Sequence, residues 1–472
     1  MNFFLLFILI PIATLFCNDV SVSSKEATYD GDTLILGGSV SLNHGLGTLL
    51  AEEAFLQKQG ADADLPFSSI ELKQKVHIVL KNKAELSSET AKLDFISMKG
   101  KLTSKENERI IFTEILKDAS VRMLSKNADL SFIKQGTDPT SLEYAIKTLV
   151  AKEEVLLEYT KDFTLKADEA SYELDSTIKA YPTLPNTTCE LSYQGGIIKT
   201  SFIELNLEKS LLDLKNPNGI LNTSLFFDDS QNKDNQIFFR CKNLHWDHAK
   251  ETLTLQDDIE IKETNFGSLS ATKEMTLIQE QIDGKNFIKS IHVEGPSLLS
   301  HKTGSLTCLG FLHVDGHKGQ ITALSPAKKG QTAPENQLLY KSSDMNLQAD
   351  KAFLEYAESS YELVSLVLKS NVKIQALDET KSKRCGLADK LTYAPDTKTI
   401  ILSANPGKKV LFFDEQQGIT MSAQEVHLTQ NTETSKTEIK GIGNMKLSLS
   451  QEENALLKNY FPNLQPLDTS HD

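Results

Sequence analysis

Apolar residues in this chain tend to fall on every other position. In the run Leu253, Leu255, Asp257, Ile259 and Ile261 the intervening Thr254, Gln256, Asp258 and Glu260 are all polar, a period-two alternation over nine residues. Successive side chains of an extended backbone point to opposite faces, so such a run is a strand with one dry face and one wet face. A short strand cannot bury its dry face alone, and the chain must supply partners for it.

It does so by repetition. One unit runs from Ala27 and Tyr29 through Leu34, Leu36, Gly38, Val40 and Leu42 to Gly47, Leu49, Ala51, Ala54 and Leu56. A second has Leu244 and Trp246, then Leu253, Leu255, Ile259 and Ile261, then Gly267, Leu269, Ala271 and Leu277. A third has Leu391 and Tyr393, then Ile400, Leu402, Val410 and Phe412, then Gly418, Ile419, Met421, Ala423, Val426 and Leu428. Looser copies surround Leu165-Ala167-Ala170-Tyr172, Leu368-Val372-Ile374 and Ile291-Val293. In each clear unit the alternation meets a turn-prone spot, Gly37-Gly38, Asp257-Asp258 or Asn405-Pro406-Gly407, which bends the chain into a second short strand. Stacked units of this kind predict an all-β fold of short strands around a continuous dry interior.

Helix is scarce. Asp138-Pro139, with Thr140 and Glu143 spaced as a capping box and Leu142, Ile146, Leu149 and Val150 on one side, predicts one helix. Leu149 and Ala151 also fit the strand unit. A shorter helix is expected after Ser450, with Glu453 three residues on. Polar linkers are read at 60–64, 228–235, 327–336 and 429–435, and the stacked units group as 18–235, 236–330 and 331–450, followed by a short helix and tail at 451–472.

Residues 1–17 carry no charged side chain and contain an apolar run from Phe3 to Ile10 that continues past Pro11 to Phe16. That is the pattern of a secretory signal or N-terminal anchor, and it predicts an exported protein. Cys17 follows it in the manner of a lipidation site, although Phe16 is bulky for the position before such a cysteine. The C-terminal Thr469-Ser470-His471-Asp472 lacks the aromatic strand that closes an outer-membrane barrel. The remaining cysteines, Cys189, Cys241, Cys308 and Cys385, are far apart with no C-x-x-C pair, which disfavours zinc and leaves disulfides and buried thiols both open. With 50 Lys and Arg against 64 Asp and Glu, the net charge of −14 argues against a nucleic-acid partner.

Catalytic signatures are missing. There is no nucleophile elbow, phosphate loop or H-E-x-x-H, and Gly441-Ile442-Gly443 reads as a turn or bulge. His313, Asp315 and His317, and His245 and His248 around Trp246 and Asp247, read as solvated turn residues ahead of metal ligands. Adjacent carboxylates such as Glu52-Glu53 or Asp257-Asp258 point to opposite faces of a strand and cannot converge on one bond. No enzyme activity and no cofactor are expected. Phe is abundant at 22 and Trp occurs once, a composition suited to an aliphatic and phenyl lining rather than to indole platforms for sugars.

The string from Ala27-Thr28-Tyr29 through Leu34-Ile35-Leu36-Gly37-Gly38-Ser39-Val40-Ser41-Leu42 to Gly47-Thr48-Leu49-Leu50-Ala51-Glu52-Glu53-Ala54 resembles the LptA/OstA family of lipopolysaccharide-transport proteins, whose members include organic solvent tolerance proteins. The segments 244–277 and 390–428 are similar to it. The resemblance implies one or more twisted, slit-like β-jellyrolls that carry the acyl chains of lipopolysaccharide or a related glycolipid through the periplasm, free or held at the inner or outer membrane. It also implies stacking with other jellyroll components by edge-strand addition. Positions matching the family's groove are Val40, Leu42, Leu49, Ala51, Ile259, Ile261, Leu269, Ala271, Val410, Phe412, Met421 and Ala423. Two other readings of the same strands remain, an exported β-helical polysaccharide-active enzyme and a surface scaffold or adhesin with a filled core.

Overall fold

The computed structural model describes residues 21–58, 67–116, 119–135, 143–159, 163–193, 195–221, 236–263, 267–282, 285–302, 304–325, 338–343, 345–357, 362–377, 382–430 and 437–461. The apolar N-terminal segment with Cys17, the linkers at 60–64, 228–235 and 327–336, most of that at 429–435, and the tail beyond 461 lie outside them. Among the described residues the protein is almost entirely antiparallel β, with 39 strands, one α-helix and one 3-10 turn. The strands divide into two compact units, residues 1–194 with 201–208, and residues 195–200 with 209–472.

Both units use one rule of construction. The chain makes a hairpin in one sheet, turns a corner, makes a hairpin in a second sheet, and turns back. Residues 252–301 illustrate it. Thr252–Gln256 pairs with Glu274–Ile282 in one sheet, while Ile259–Glu263, Gly267–Ala271 and Ser297–His301 pair side by side in the other. In the first unit whole long strands bend across both sheets. Thr33–His44 pairs with Glu26–Tyr29 through residues 34–37 and with Ser21–Ser23 through residues 41–43. Because every crossing joins the same ends of the strands, corners close one margin of each unit, and hairpin turns from both sheets face one another along the opposite margin.

Five corners share one backbone. Two successive residues take positive φ at Gly38-Ser39 (72° and 56°), Gln74-Lys75 (64° and 52°), Glu153-Glu154 (65° and 54°), Asp257-Asp258 (60° and 50°) and Ser370-Asn371 (64° and 52°). Left-handed residues in a strand insert a bulge that bends and twists it. The ladder slips by one residue at four of these places, for example between Gly37/Val40 and between Lys369/Val372. The neighbouring strand ties the bend down: Lys25 N donates to Gly37 O and Gly38 O at 3.2 and 3.1 Å, and Lys242 N donates to Gln256 O and Asp257 O at 3.2 and 3.0 Å. The pair also keeps the phase of the alternation, so Leu36 before the corner and Val40 after it both point inward.

Of the helix expected from Asp138, the part among the described residues is strand instead. Residues 136–142 are outside the described set, and Tyr144–Tyr159 is a strand. From Leu149 on its buried positions, Leu149, Ala151, Val155 and Leu157, follow the period of two, and this tertiary demand overrides the helical spacing of Ile146, Leu149 and Val150. The helix expected after Ser450 is present at Gln451–Tyr460. Ser450 Oγ accepts from Glu453 N at 3.2 Å while Glu453 Oε2 accepts from Ser450 N at 2.8 Å. Leu457 packs on Leu411 and Phe413, which explains why Val410–Asp414 is buried on both faces.

Candidate functional site between the sheets

The twelve groove candidates form three equivalent quartets, each a hairpin of two cross-strand pairs. They are Val40 with Ala51 and Leu42 with Leu49 in the first unit, and Ile259 with Ala271, Ile261 with Leu269, Val410 with Ala423 and Phe412 with Met421 in the second. Every member lies in the interior, from fully buried to 7 % exposed. Water does not reach these side chains, so the interior at each quartet is filled. The facing sheets touch directly at two glycines of the second unit. A methyl group on Gly386 would lie 2.9 Å from Ile374 Cγ2 on its own sheet and 3.0 Å from Leu402 Cδ1 on the other. One on Gly441 would lie 2.8 Å from the Sδ of Met421 opposite.

The margin of hairpin turns is the one that no corner closes. In the first unit that margin is closed by side chains reaching across it. His44, at the end of Thr33–His44, stacks on Tyr144 at 5.4 Å and lies 4.4 Å from Phe95, which stands just past Glu85–Asp94 on the opposite rim. Phe95 and Tyr144 are 5.3 Å apart, and Phe95 stacks on Phe132 at 6.0 Å. Tyr144 N donates to Gly45 O at 3.1 Å, and Lys81 Nζ meets Glu143 Oε1 at 2.7 Å, both across the same opening. Burial first, with the nearby Lys81 charge second, holds the His44 imidazole down to about 4, so it is neutral here and accepts from Leu46 N through Nδ1 at 3.2 Å. In the second unit His301 and Tyr356 meet edge-on at 5.2 Å across the corresponding margin.

His44 and Phe95 extend the alternations Val40-Leu42 and Ala91-Leu93 by one inward-facing step each, but that pattern does not say that they meet. The other sequence cue is the presence of aromatic or imidazole side chains beside turns, as at Phe95 after Asp94, whose carboxylate accepts from Ile96 N and Ser97 N.

The other side chains singled out by sequence are engaged locally. His313 stacks on His292 at 4.4 Å, Asp315 Oδ1 accepts from Lys318 N at 3.1 Å, and His317 pairs with Glu280. His245 Nδ1 meets Asp213 Oδ1 at 2.8 Å, and Asp247 caps the 3-10 turn at His248–Lys250. Among the described residues no three His, Cys, Asp or Glu side chains gather as a metal site. Glu52 and Glu53 bond to the corner residues Lys75 and Gln74, each at 3.3 Å, and Asp258 pairs with Lys242 at 2.7 Å. Gly443, with φ 71°, makes the expected bulge, Gln424 N donating to both Ile442 O and Gly443 O. Cys189, Cys241, Cys308 and Cys385 are buried free thiols, and burial pushes those of Cys189, Cys241 and Cys385 up to about 12. No family model matches the chain, and no curated protein matches its sequence.

Proposed function

We propose that this protein is an exported, non-enzymatic carrier of lipopolysaccharide or a related glycolipid, serving outer-membrane assembly by holding acyl chains between its two sheets. The observation that carries this reading is the unequal closure of the two margins. Corners join the sheets covalently on one side, whereas on the other the first unit is held by side-chain and backbone contacts, among them the His44, Phe95 and Tyr144 rings, the Lys81–Glu143 ion pair, the Tyr144–Gly45 hydrogen bond, and Tyr172 against Phe112 and Glu114. Behind that margin lies an interior apolar from both sheets, into which a methylene moving from water gains ~0.8 kcal/mol. Transport is then passive passage between similar dry sites, with direction supplied by an energised partner. The strands Ser21–Ser23 and Glu26–Tyr29 are exposed, and among the described residues each pairs on one side only, which suits addition of a strand from another jellyroll component.

A second reading, a scaffold with a permanently filled core, is favoured by the buried quartets and by the Gly386 contact. Native mass spectrometry of protein purified from its own envelope separates the two. A mass increment of a glycolipid, released on heating, supports the carrier; a homogeneous lipid-free mass leaves the scaffold.

A further inference from the structure

Among the described residues, six large hydrophobic side chains stand more than half in solvent: Tyr29, Ile96, Ile115, Leu174, Leu184 and Leu447. Four of them share one place in the fold. Tyr29, Ile96, Ile115 and Leu174, from 52 % exposed at Leu174 to 79 % at Ile115, each sit at a hairpin turn on the margin of the first unit that no corner closes. Turns favour polar residues that bond their own backbone, and three of these turns supply one. Asp30 Oδ1 accepts from Asp32 N at 3.1 Å and Thr33 N at 2.8 Å, Asp94 Oδ1 from Ile96 N at 2.9 Å and Ser97 N at 3.0 Å, and Asp175 Oδ1 from Thr177 N at 3.2 Å. The carboxylate is turned back on the turn, and the apolar side chain beside it is the part presented outward.

Their spacing says what meets them. In the sheet that carries Tyr29, Ile96 and Leu174 the ladder runs Glu26–Tyr29, Thr33–His44, Gly47–Gln57, Ser69–Leu80, Glu85–Asp94, Lys99–Thr103, Asn127–Lys134, Tyr144–Tyr159, Phe163–Glu173 and Thr177–Tyr181. The hairpins bearing Tyr29, Ile96 and Leu174 are therefore four strands apart and then four again, ~19 Å per step at ~4.8 Å per strand. Ile115 stands on the facing rim, next to Glu114, which accepts from the Tyr172 hydroxyl across the opening. A protein partner concentrates its contact in one compact centre, which points so far apart do not form. A fluid lipid surface takes each point separately, and binding scales with the apolar area buried. We propose that this margin is a membrane-docking edge, on which Tyr29, Ile96, Ile115 and Leu174 enter the head-group layer of a bilayer and set the mouth of the first unit against it. The use of the edge rests on the carrier reading, in which acyl chains come from such a bilayer. The turn carboxylates hold the insertion at head-group depth, where water reaches them. Tyr29, whose hydroxyl donates to Gly31 O, suits that boundary.

The test is flotation of the full chain with phosphatidylcholine vesicles, at the lipid concentration that carries half of the wild type. Ile96→Ser and Ile115→Ser change exposed side chains and should each weaken binding about fivefold, the equivalent of ~1 kcal/mol, and together about 25-fold. Leu174→Ser, on a third turn, replaces either one if it fails to fold. Leu184→Ser is the control: this leucine is as exposed, but it lies between Thr177–Tyr181 and Cys189–Tyr193 where the chain passes from one sheet to the other, and its loss should change nothing. A wild type that stays out of the vesicle fraction, or a loss from Leu184→Ser equal to the others, overturns the edge. So does a wild type that ignores vesicles and self-associates until Ile96→Ser abolishes it, which would give the margin to a second copy. Native mass spectrometry of the same protein separates the edge from the carrier. Vesicle binding without a glycolipid mass supports the edge while the carrier fails, and a glycolipid mass without vesicle binding overturns the edge while the carrier stands.

Discussion

Ile261 and Glu260 are neighbours on one strand and point to opposite faces, so truncating each to alanine compares interior with surface on the same backbone. Ile261 is 1 % exposed and lies between Phe239 and Leu269 on the flanking strands, both equally buried. Ile261→Ala removes three carbons, ~2.4 kcal/mol at ~0.8 each. The void they leave among well-packed neighbours brings the total to ~3–4 kcal/mol. Glu260 loses ion pairs to Arg240 and Lys262, each at 2.6 Å, but those partners are 63 % and 54 % exposed. Solvent screening reduces that loss to ~0.2–1 kcal/mol. Urea unfolding followed by circular dichroism should therefore move the midpoint several times further for Ile261→Ala than for Glu260→Ala, with the slope unchanged. A loss below ~1 kcal/mol for Ile261→Ala would mean that this side chain borders open space, and the description of a filled interior would be wrong.

Gly47, at φ 145°, has no room for a side chain, since a methyl group there would lie 2.1 Å from Val79 O. Gly47→Ala should cost ~3 kcal/mol or more in the same assay, against ~1 kcal/mol for Gly407→Ala, where φ is 83° and nothing lies within 4 Å. Arg384→Met should cost ~3–5 kcal/mol, because Arg384 Nε holds the fully buried Asp414 carboxylate at 2.7 Å and its removal leaves that charge uncompensated. Between pH ~4 and the ordinary 6.5 the unfolded chain protonates His44 and the folded one does not, so this stability is fully present above 6.5 and falls as pH drops toward 4. The decline amounts to ~3 kcal/mol, and His44→Gln should flatten it in an acid titration of the unfolding midpoint.

The dry faces were legible because a strand buried on one side leaves a period-two trace, and all three sequence quartets prove to be interior hairpins in equivalent places. Three corners were legible as well. Gly38, the Asp257-Asp258 pair and Gly407 are residue types that tolerate left-handed backbone, and they stand where the alternation breaks. The corners at Gln74-Lys75 and Glu153-Glu154 adopt the same conformation with residues that do not favour it. Their geometry is imposed by the neighbouring strands, and Lys126 N donating to Glu153 O at 3.2 Å is part of that imposition. The strand found at 144–150 where helix was expected has the converse cause, a local spacing compatible with two periods and settled by pairing of Asn127–Lys134 along Tyr144–Tyr159. The closing cluster of His44, Phe95 and Tyr144 joins residues far apart in the chain, and an alternation that marks His44 and Phe95 as inward-facing does not say which side chains of the opposite sheet they meet.

The difference between carrier and scaffold lies in how far the closing contacts can be outweighed. Two or three aromatic contacts at ~0.5–1.5 kcal/mol each, one backbone hydrogen bond at ~1 kcal/mol and one half-exposed ion pair at ~0.5 kcal/mol hold the stretch of the first unit's mouth around His44 by on the order of 4 kcal/mol. A methylene transferred from water gains ~0.8 kcal/mol, so about five of them offset the closure. Side chains behind the mouth then exchange contact with the facing sheet for contact with the chain, which is nearly neutral in apolar area. A carrier should therefore ignore fatty acyl probes with fewer than about five methylenes and bind longer ones with affinity rising about fourfold per methylene, the equivalent of ~0.8 kcal/mol. Replacing both Phe95 and Tyr144 with alanine should lower the threshold by two or three methylenes. Chain-length-independent binding, or a threshold unmoved by those substitutions, would place the lipid on the outer faces of the sheets and leave the interior as a permanent core.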